Sequence, residues 1–360
     1  MSHPHAGSHP HAGSHPQAGS VSSESEKGRI LGSGRFIDSP LQASVDACFL
    51  RLDGFGTGQV YLKLEGLNPA GSVKLRPAIL MIETLEAQGR IRRGEHRIVE
   101  SSSGNLGIAL SLVCKVKGYQ FTCVTDPNVN PWAVKVMQAY GTTVVVVRER
   151  DTEGGYLGSR IARIRRLLDA DPDLVWTNQY ANPANAGAHY ALTAAEIHRA
   201  FPDLDYLFVG AGTTGTLVGC AGYFDRHNPR TKVIAVDAVG SVTFGGPAGP
   251  RHIPGLGTSR RPEIADLYEP DEIVLVSERD AVRTCQRMLD HYGLLAGGST
   301  GSVLSAVEHY PIPPDSTVVA ISPDFGDRYV DTLYDPDWIE ARFPADGAVG
   351  RRRPSRAISA

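Results

Sequence analysis

The chain has 360 residues, enough for one large or two medium domains with substantial cores. Hydrophobic residues make up 41% and charged residues 21%, an ordinary globular balance, and a formal net charge of -3 gives no global electrostatic case for nucleic acid or anionic lipid as a partner. No apolar run reaches the roughly 18–20 residues that span a bilayer, no secretory leader is visible, and five dispersed cysteines without a CxxC pair suit a reducing compartment, so a cytoplasmic protein is expected.

In chain order, residues 2–20 repeat SHPHAG, SHPHAG and SHPQAG, too short and polar a unit to build a core. A disordered tail is expected over 1–27, with weak metal binding through His3, His5, His9, His11 and His15 as the lesser reading. "LEGLNPAGSVKLRPA" (64–78) turns at Asn68-Pro69 and leads into a helix. Strands are expected at RIVES (97–101), FTCVT (121–125), TTVVVV (142–147), YLFVG (206–210), KVIAVD (232–237) and TVVAIS (317–322). Helices are expected at 105–118, 130–141, 156–170 and 185–201, the first two closed by glycine and the last followed by Pro202. An Arg-rich disordered end is expected from 344 to 360. Strand and helix alternate throughout, which argues for an α/β fold with parallel sheets. In such folds ligands bind where strand ends turn into helices, so the loops there are the place to look.

Four of those loops carry candidate chemistry. Lys74 sits among apolar and small residues. Held in an apolar pocket it would lose hydration and become a nucleophilic amine, whereas on a surface it would simply snorkel at a helix start. "VESSSGNLGIAL" (99–110) offers Ser102, Ser103 and unpaired amides for a carboxylate, or an ordinary helix cap. "FVGAGTTGTLVG" (208–219) has glycines and threonines suited to a phosphate but lacks the lysine of a nucleotide-binding loop; a tight turn is the alternative. "LLAGGSTGSVLSA" (294–306) offers a serine for a neutral heteroaromatic nitrogen, or a cap by Ser299 or Thr300. An amine, a carboxylate cup, a phosphate cup and a ring-nitrogen partner together suit one cofactor, pyridoxal 5′-phosphate.

The motifs NPAGSVKLR, SSGNLGIAL, NQYANPAN, GAGTTGT and GGSTG, in this order, resemble those of the cysteine synthase and cystathionine β-synthase family over roughly residues 28–340. The resemblance implies two three-layer α/β domains of the tryptophan-synthase β-like class (fold-type II), with the cofactor in the cleft between them. One domain would cover 68–182 and the other 28–67 plus 183–343. Lys74 would form the Schiff base, Asn105 would bond the ring oxygen, and Gly212, Thr213, Thr214, Gly215 and Thr216 would cradle the phosphate. Ser299 would face the ring nitrogen, while Ser102, Ser103, Gly104 and Gln179 would take the substrate carboxylate. The implied activity is β-replacement on a serine derivative by a homodimer, with small amino acids as partners and neither nucleic acid nor membrane.

Leu106 stands where ordinary cysteine synthases carry a threonine, which puts sulfide as the nucleophile in doubt. ESSSGNL, VDAVGSVTFGG and RHIPGLG look closer to a siderophore and antibiotic branch. Its members join O-phospho-L-serine to the amine of L-glutamate, making a precursor of L-2,3-diaminopropionate. Arg251, Arg260 and Arg261 lie in a loop region that could supply partners for those anionic substrates, with surface exposure as the equal alternative. A cysteine synthase using a sulfur nucleophile is the alternative, and a catalytically quiet sensor of the same fold is another.

Overall fold

The computed structural model describes residues 29–31, 34–43, 47–151 and 155–344. The expected tail at 1–27 and the Arg-rich end from 345 onward lie outside these residues. The described residues up to Asp38 belong to a unit of their own, in which β1 (Arg29–Leu31) and β2 (Gly34–Phe36) pair antiparallel.

The second unit, from Ser39 on, runs β3 (Phe49–Arg51), β4 (Gln59–Leu64), α1 (Leu75–Ala87), β5 (Arg97–Ser101), α2 (Asn105–Lys117), β6 (Gln120–Thr125), α3 (Pro131–Ala139), β7 (Thr143–Val146), α4 (Leu157–Ala170) and β8 (Leu174–Trp176). It continues with α5 (Pro183–Ala188), α6 (Ala195–Ala200), β9 (Tyr206–Gly210), α7 (Gly215–His227), β10 (Lys232–Ala238), β11 (Glu272–Val276), α8 (Glu278–Tyr292), α9 (Gly298–His309), β12 (Thr317–Ser322) and α10 (Pro336–Arg342).

These strands make two sheets. One has the order β11-β10-β9-β12-β4-β3 and is parallel except for β3; the other, β7-β6-β5-β8, is parallel throughout. β9, β10 and β12 are nearly continuous apolar runs because helices cover both faces of a parallel sheet, leaving no side to water. Phe208, Val236 and Ala320 on these strands pack with Val303 and Leu304 of α9, while Leu207, Val209 and Val319 pack with Leu217 and Cys220 of α7. The four-stranded sheet is covered by α1 and α2 through Met81, Ile82, Leu110 and Val113, and by α4 through Ile164. No helix among the described residues is long and apolar enough to cross a membrane.

The stretch 185–201 departs from a single helix. α5 and α6 are separated by a π-helical turn, His189–Ala194, that shifts the register. Periodicity cannot reveal one widened turn, because the apolar stripe resumes on either side of it.

Candidate active site

Connections leaving the carboxyl ends of strands in both sheets converge on a cavity of about 400 Å³. Lys74, Ser102, Ser103, Gly104, Asn105, Gln179, Gly212, Thr213, Thr214, Gly215, Thr216 and Ser299 all line it. Arg251, Arg260 and Arg261 do not. Arg251 donates to Leu256 O and sits near Asp237 and Glu278, Arg260 pairs with Glu263 and Arg261 with Asp266. Arg260 and Arg261 thus pair with carboxylates of their own loop, and Arg251 lies between that loop and the β10 and α8 carboxylates, outside the cavity wall. The basic side chains that do line the cavity are Lys74, Arg328 and the imidazole of His252.

Lys74 ends the β4–α1 connection and occupies the N-cap position of α1. Burial depresses its ammonium to about 8, because no carboxylate compensates for lost hydration. Among the described residues its amine has neither a hydrogen-bond nor an ion-pair partner. A surface snorkel is therefore excluded.

Ser102 lies at the turn from β5 into α2. Its Oγ accepts from the N–H of Gly107 (2.9 Å) and of Gly104 (3.3 Å), so Ser102 caps the helix from outside its first turn. The N–H groups of Ser103, Asn105 and Leu106 have no partner among the described residues and remain for an anion. Leu106, 3% exposed, puts an apolar side chain into the same wall. Beneath it, Glu100 is fully buried and accepts from Ser101 N, Trp176 Nε1, Thr177 Oγ1 and Gln179 N. Burial raises its carboxyl above the usual range despite these four donors. Gln179 Nε2 donates to Ser101 O, which fixes that side chain against the end of β5.

The β9–α7 loop has the character of an oxyanion cup. No hydrogen bond among the described residues engages the N–H groups of Gly212 to Thr216, and Thr214 adopts a left-handed φ of 64° at the N-cap of a 13-residue helix. Asn185 steadies this loop by donating to Thr213 Oγ1 (3.1 Å) and to Gln179 O (2.8 Å). His189, placed by the π turn, meets Thr216 Oγ1 at 3.3 Å. Ser299 lies in the first turn of α9, whose N-cap is Gly297. The capping reading for that loop therefore fails: Thr300 bonds Ser322 instead, and the buried Ser299 hydroxyl has no partner among the described residues.

Sequence reasoning left one cluster out. Asn105 Nδ2 donates to Asp324 Oδ2 at 2.7 Å, and Arg328 Nη1 donates to Asn105 Oδ1. These partners lie more than 200 residues apart, so no local pattern signals them.

The donor set fits pyridoxal phosphate. A free amine, an unengaged row of N–H groups at a helix start, an unpartnered buried hydroxyl and the Asn105 amide share one cavity of suitable size.

The sequence profile of the family described as "Pyridoxal-phosphate dependent enzyme" matches residues 47–324. A protein of Ralstonia nicotianae named N-(2-amino-2-carboxyethyl)-L-glutamate synthase is 44% identical over 302 residues, spanning 82% of this chain and 89% of the relative. One of the same name from Cupriavidus metallidurans is 42% identical over 309 residues, spanning 83% and 89%. A crystal structure of O-ureido-L-serine synthase superposes with a TM-score of 0.76 at 32% identity, covering 84% of this chain and 96% of its own.

Proposed function

The chain belongs to the pyridoxal-phosphate dependent enzyme family, and from that premise we propose that it joins O-phospho-L-serine to the amine of L-glutamate, giving N-(2-amino-2-carboxyethyl)-L-glutamate and phosphate. The C–O bond to phosphate breaks and a C–N bond forms at the β-carbon. The observation that carries the substrate is the likeness, at 42–44% identity over most of the chain, to two synthases of that name. Leu106 in the cavity wall agrees with an organic amine rather than sulfide as the nucleophile.

Bound here, the cofactor would supply an electron sink for charge developing at the substrate α-carbon. Lys74 Nζ would hold its aldehyde carbon and, once displaced by the substrate amine, would take the α-proton. Gly212 to Thr216 would bind its phosphate, Asn105 its ring oxygen and Ser299 its ring nitrogen. A serine hydroxyl there would leave that nitrogen neutral, which would limit charge build-up and favour loss of the β-substituent. The N–H groups of Ser103, Asn105 and Leu106, together with Gln179, would take the substrate carboxylate, and Arg328 is the remaining cation near the acceptor.

In the same reading the chain has one α/β domain at 68–182 and another formed by 28–67 and 183–343. The enzyme is taken to be a cytoplasmic homodimer serving siderophore or antibiotic biosynthesis.

The test is a competition followed by mass spectrometry. The loaded enzyme receives O-phospho-L-serine with labelled glutamate and sulfide together. A labelled glutamate adduct with one phosphate released per adduct is the expected result. Cysteine as the sole product would return the chain to sulfur assimilation.

A further inference from the structure

Asn105 is held from two sides by groups of opposite hydrogen-bonding character. A guanidinium has only donors, so the Asn105 atom facing Arg328 Nη1 is the carbonyl Oδ1. Asp324 Oδ2 accepts, so the atom facing it at 2.7 Å is Nδ2. The two contacts exclude the flipped amide. Nδ2 carries two hydrogens; Asp324 takes one, and Tyr329 Oη, which gives its own proton to the same Asp324 oxygen, is the protein acceptor among the described residues within reach of the second, on the wall where Asn105 lines the cavity, so a ring oxygen placed there would compete with Tyr329 for it.

Both holding residues are themselves fixed. Asp324 Oδ2 also accepts from Tyr329 Oη at 2.6 Å. Arg328 Nη2 donates to Gly71 O at 3.0 Å, its guanidinium lies 5.1 Å from the centre of the Trp132 ring, and its backbone carbonyl accepts from Asn130 Nδ2. Gly71 has φ +65°, and a Cβ there would run into Arg328 Nη2, so the turn before Lys74 is shaped to admit this guanidinium. The stretch after β12 is also bridged to that turn, with Val73 N donating to Pro323 O at 2.8 Å. A single segment at the end of β12 therefore sets both the Lys74 turn and the Asn105 amide.

We propose that Asp324 and Arg328 are positioning residues that fix the Asn105 carboxamide so that its second N–H is presented to the ring oxygen of the cofactor. The proposal rests on the reading that this ring lies against Asn105. A donated hydrogen bond favours the anionic form of that oxygen, whose absorption lies in the visible; its loss raises the shorter-wavelength band of the neutral form. The ratio of the two bands, measured per mole of bound cofactor, reports orientation rather than stability or loading.

The experiment compares the loaded wild type with Asn105→Ala, Arg328→Met and the double variant. Asn105→Ala and Arg328→Met are each expected to lower the visible-to-ultraviolet ratio by roughly two- to tenfold, the size of one net hydrogen bond. The double variant is expected to match Asn105→Ala alone, because one residue acts through the other. Should Arg328→Met not load, Arg328→Lys is read in its place; one ammonium cannot hold Gly71 O and Asn105 Oδ1 as the guanidinium does, so the same shift is expected. A wild-type ratio in the Arg328 variants beside a shifted Asn105→Ala overturns the proposal, as do effects that multiply in the double variant. A silent Asn105→Ala removes the placement of the ring itself, and the proposal with it.

Discussion

Lys74 shows what placement does to one functional group. Its amine is depressed to about 8 by burial, where a free lysine titrates near 10.4. Only the neutral amine attacks an aldehyde, so capture of added pyridoxal phosphate by the stripped protein should quicken as pH rises through about 8 and then level off. Stopped-flow absorbance against pH measures this; a midpoint above about 10 would mean that the cavity leaves the amine hydrated. The linkage to stability has a definite sign. Between the folded value of about 8 and the unfolded value of about 10.4 the unfolded chain binds more protons, so stripped protein gains stability with rising pH across that window.

The elements flanking Lys74 are pinned by a buried ionic cluster. Lys63 on β4 is 1% exposed, and its Nζ meets Glu65 at 2.7 Å and Glu196 of α6 at 2.8 Å; Arg76 in the first turn of α1 reaches the same two carboxylates. Lys63→Met would leave the buried Glu65 and the half-buried Glu196 facing one guanidinium. A loss of about 3–5 kcal/mol is expected, read as a lower urea midpoint at unchanged slope. Burial alone would raise the Glu196 carboxyl, but Arg76 and Lys63 outweigh it and hold the group below its usual range. Its contribution is thus present above about pH 4.3 and lost as pH falls through the lower folded value, so the gap between wild type and variant should narrow there. This cluster was not legible in the sequence, because nothing local announces that Lys63, inside an apolar strand, faces a helix 133 residues away. The strands YLFVG and TVVAIS were legible to the residue, since a strand buried on both faces has no other way to be written.

At the scale of the whole unit, the cavity wall is shared. Ser102 and Asn105 follow a strand of the four-stranded sheet, while Thr213 to Thr216 follow β9 of the six-stranded one and Ser299 starts α9, which packs against it. This sharing explains why the site was readable and its supports were not. Each loop carries its chemistry within a dozen consecutive residues, whereas Asp324 and Arg328 acquire meaning only when the end of β12 meets the start of α2. It also explains why the sequence left Arg251, Arg260 and Arg261 open between substrate and surface: a charge in a suggestive loop says nothing of the direction in which it points, and Arg260 and Arg261 are exposed. A ligand held by both walls must stabilise both. Pyridoxal phosphate at a free concentration 100 times its Kd adds about 2.7 kcal/mol to any opening that destroys the site. Hydrogen exchange of peptides spanning β6 and β10, compared between stripped and loaded protein, should therefore show the same added protection in each sheet. Lys74→Ala, which can bind the cofactor only without a covalent bond, should show a smaller increment in both at the same concentration. Protection confined to β10 would mean that the six-stranded sheet alone holds the cofactor, with Asn105 and the Ser102 turn meeting it only once substrate arrives.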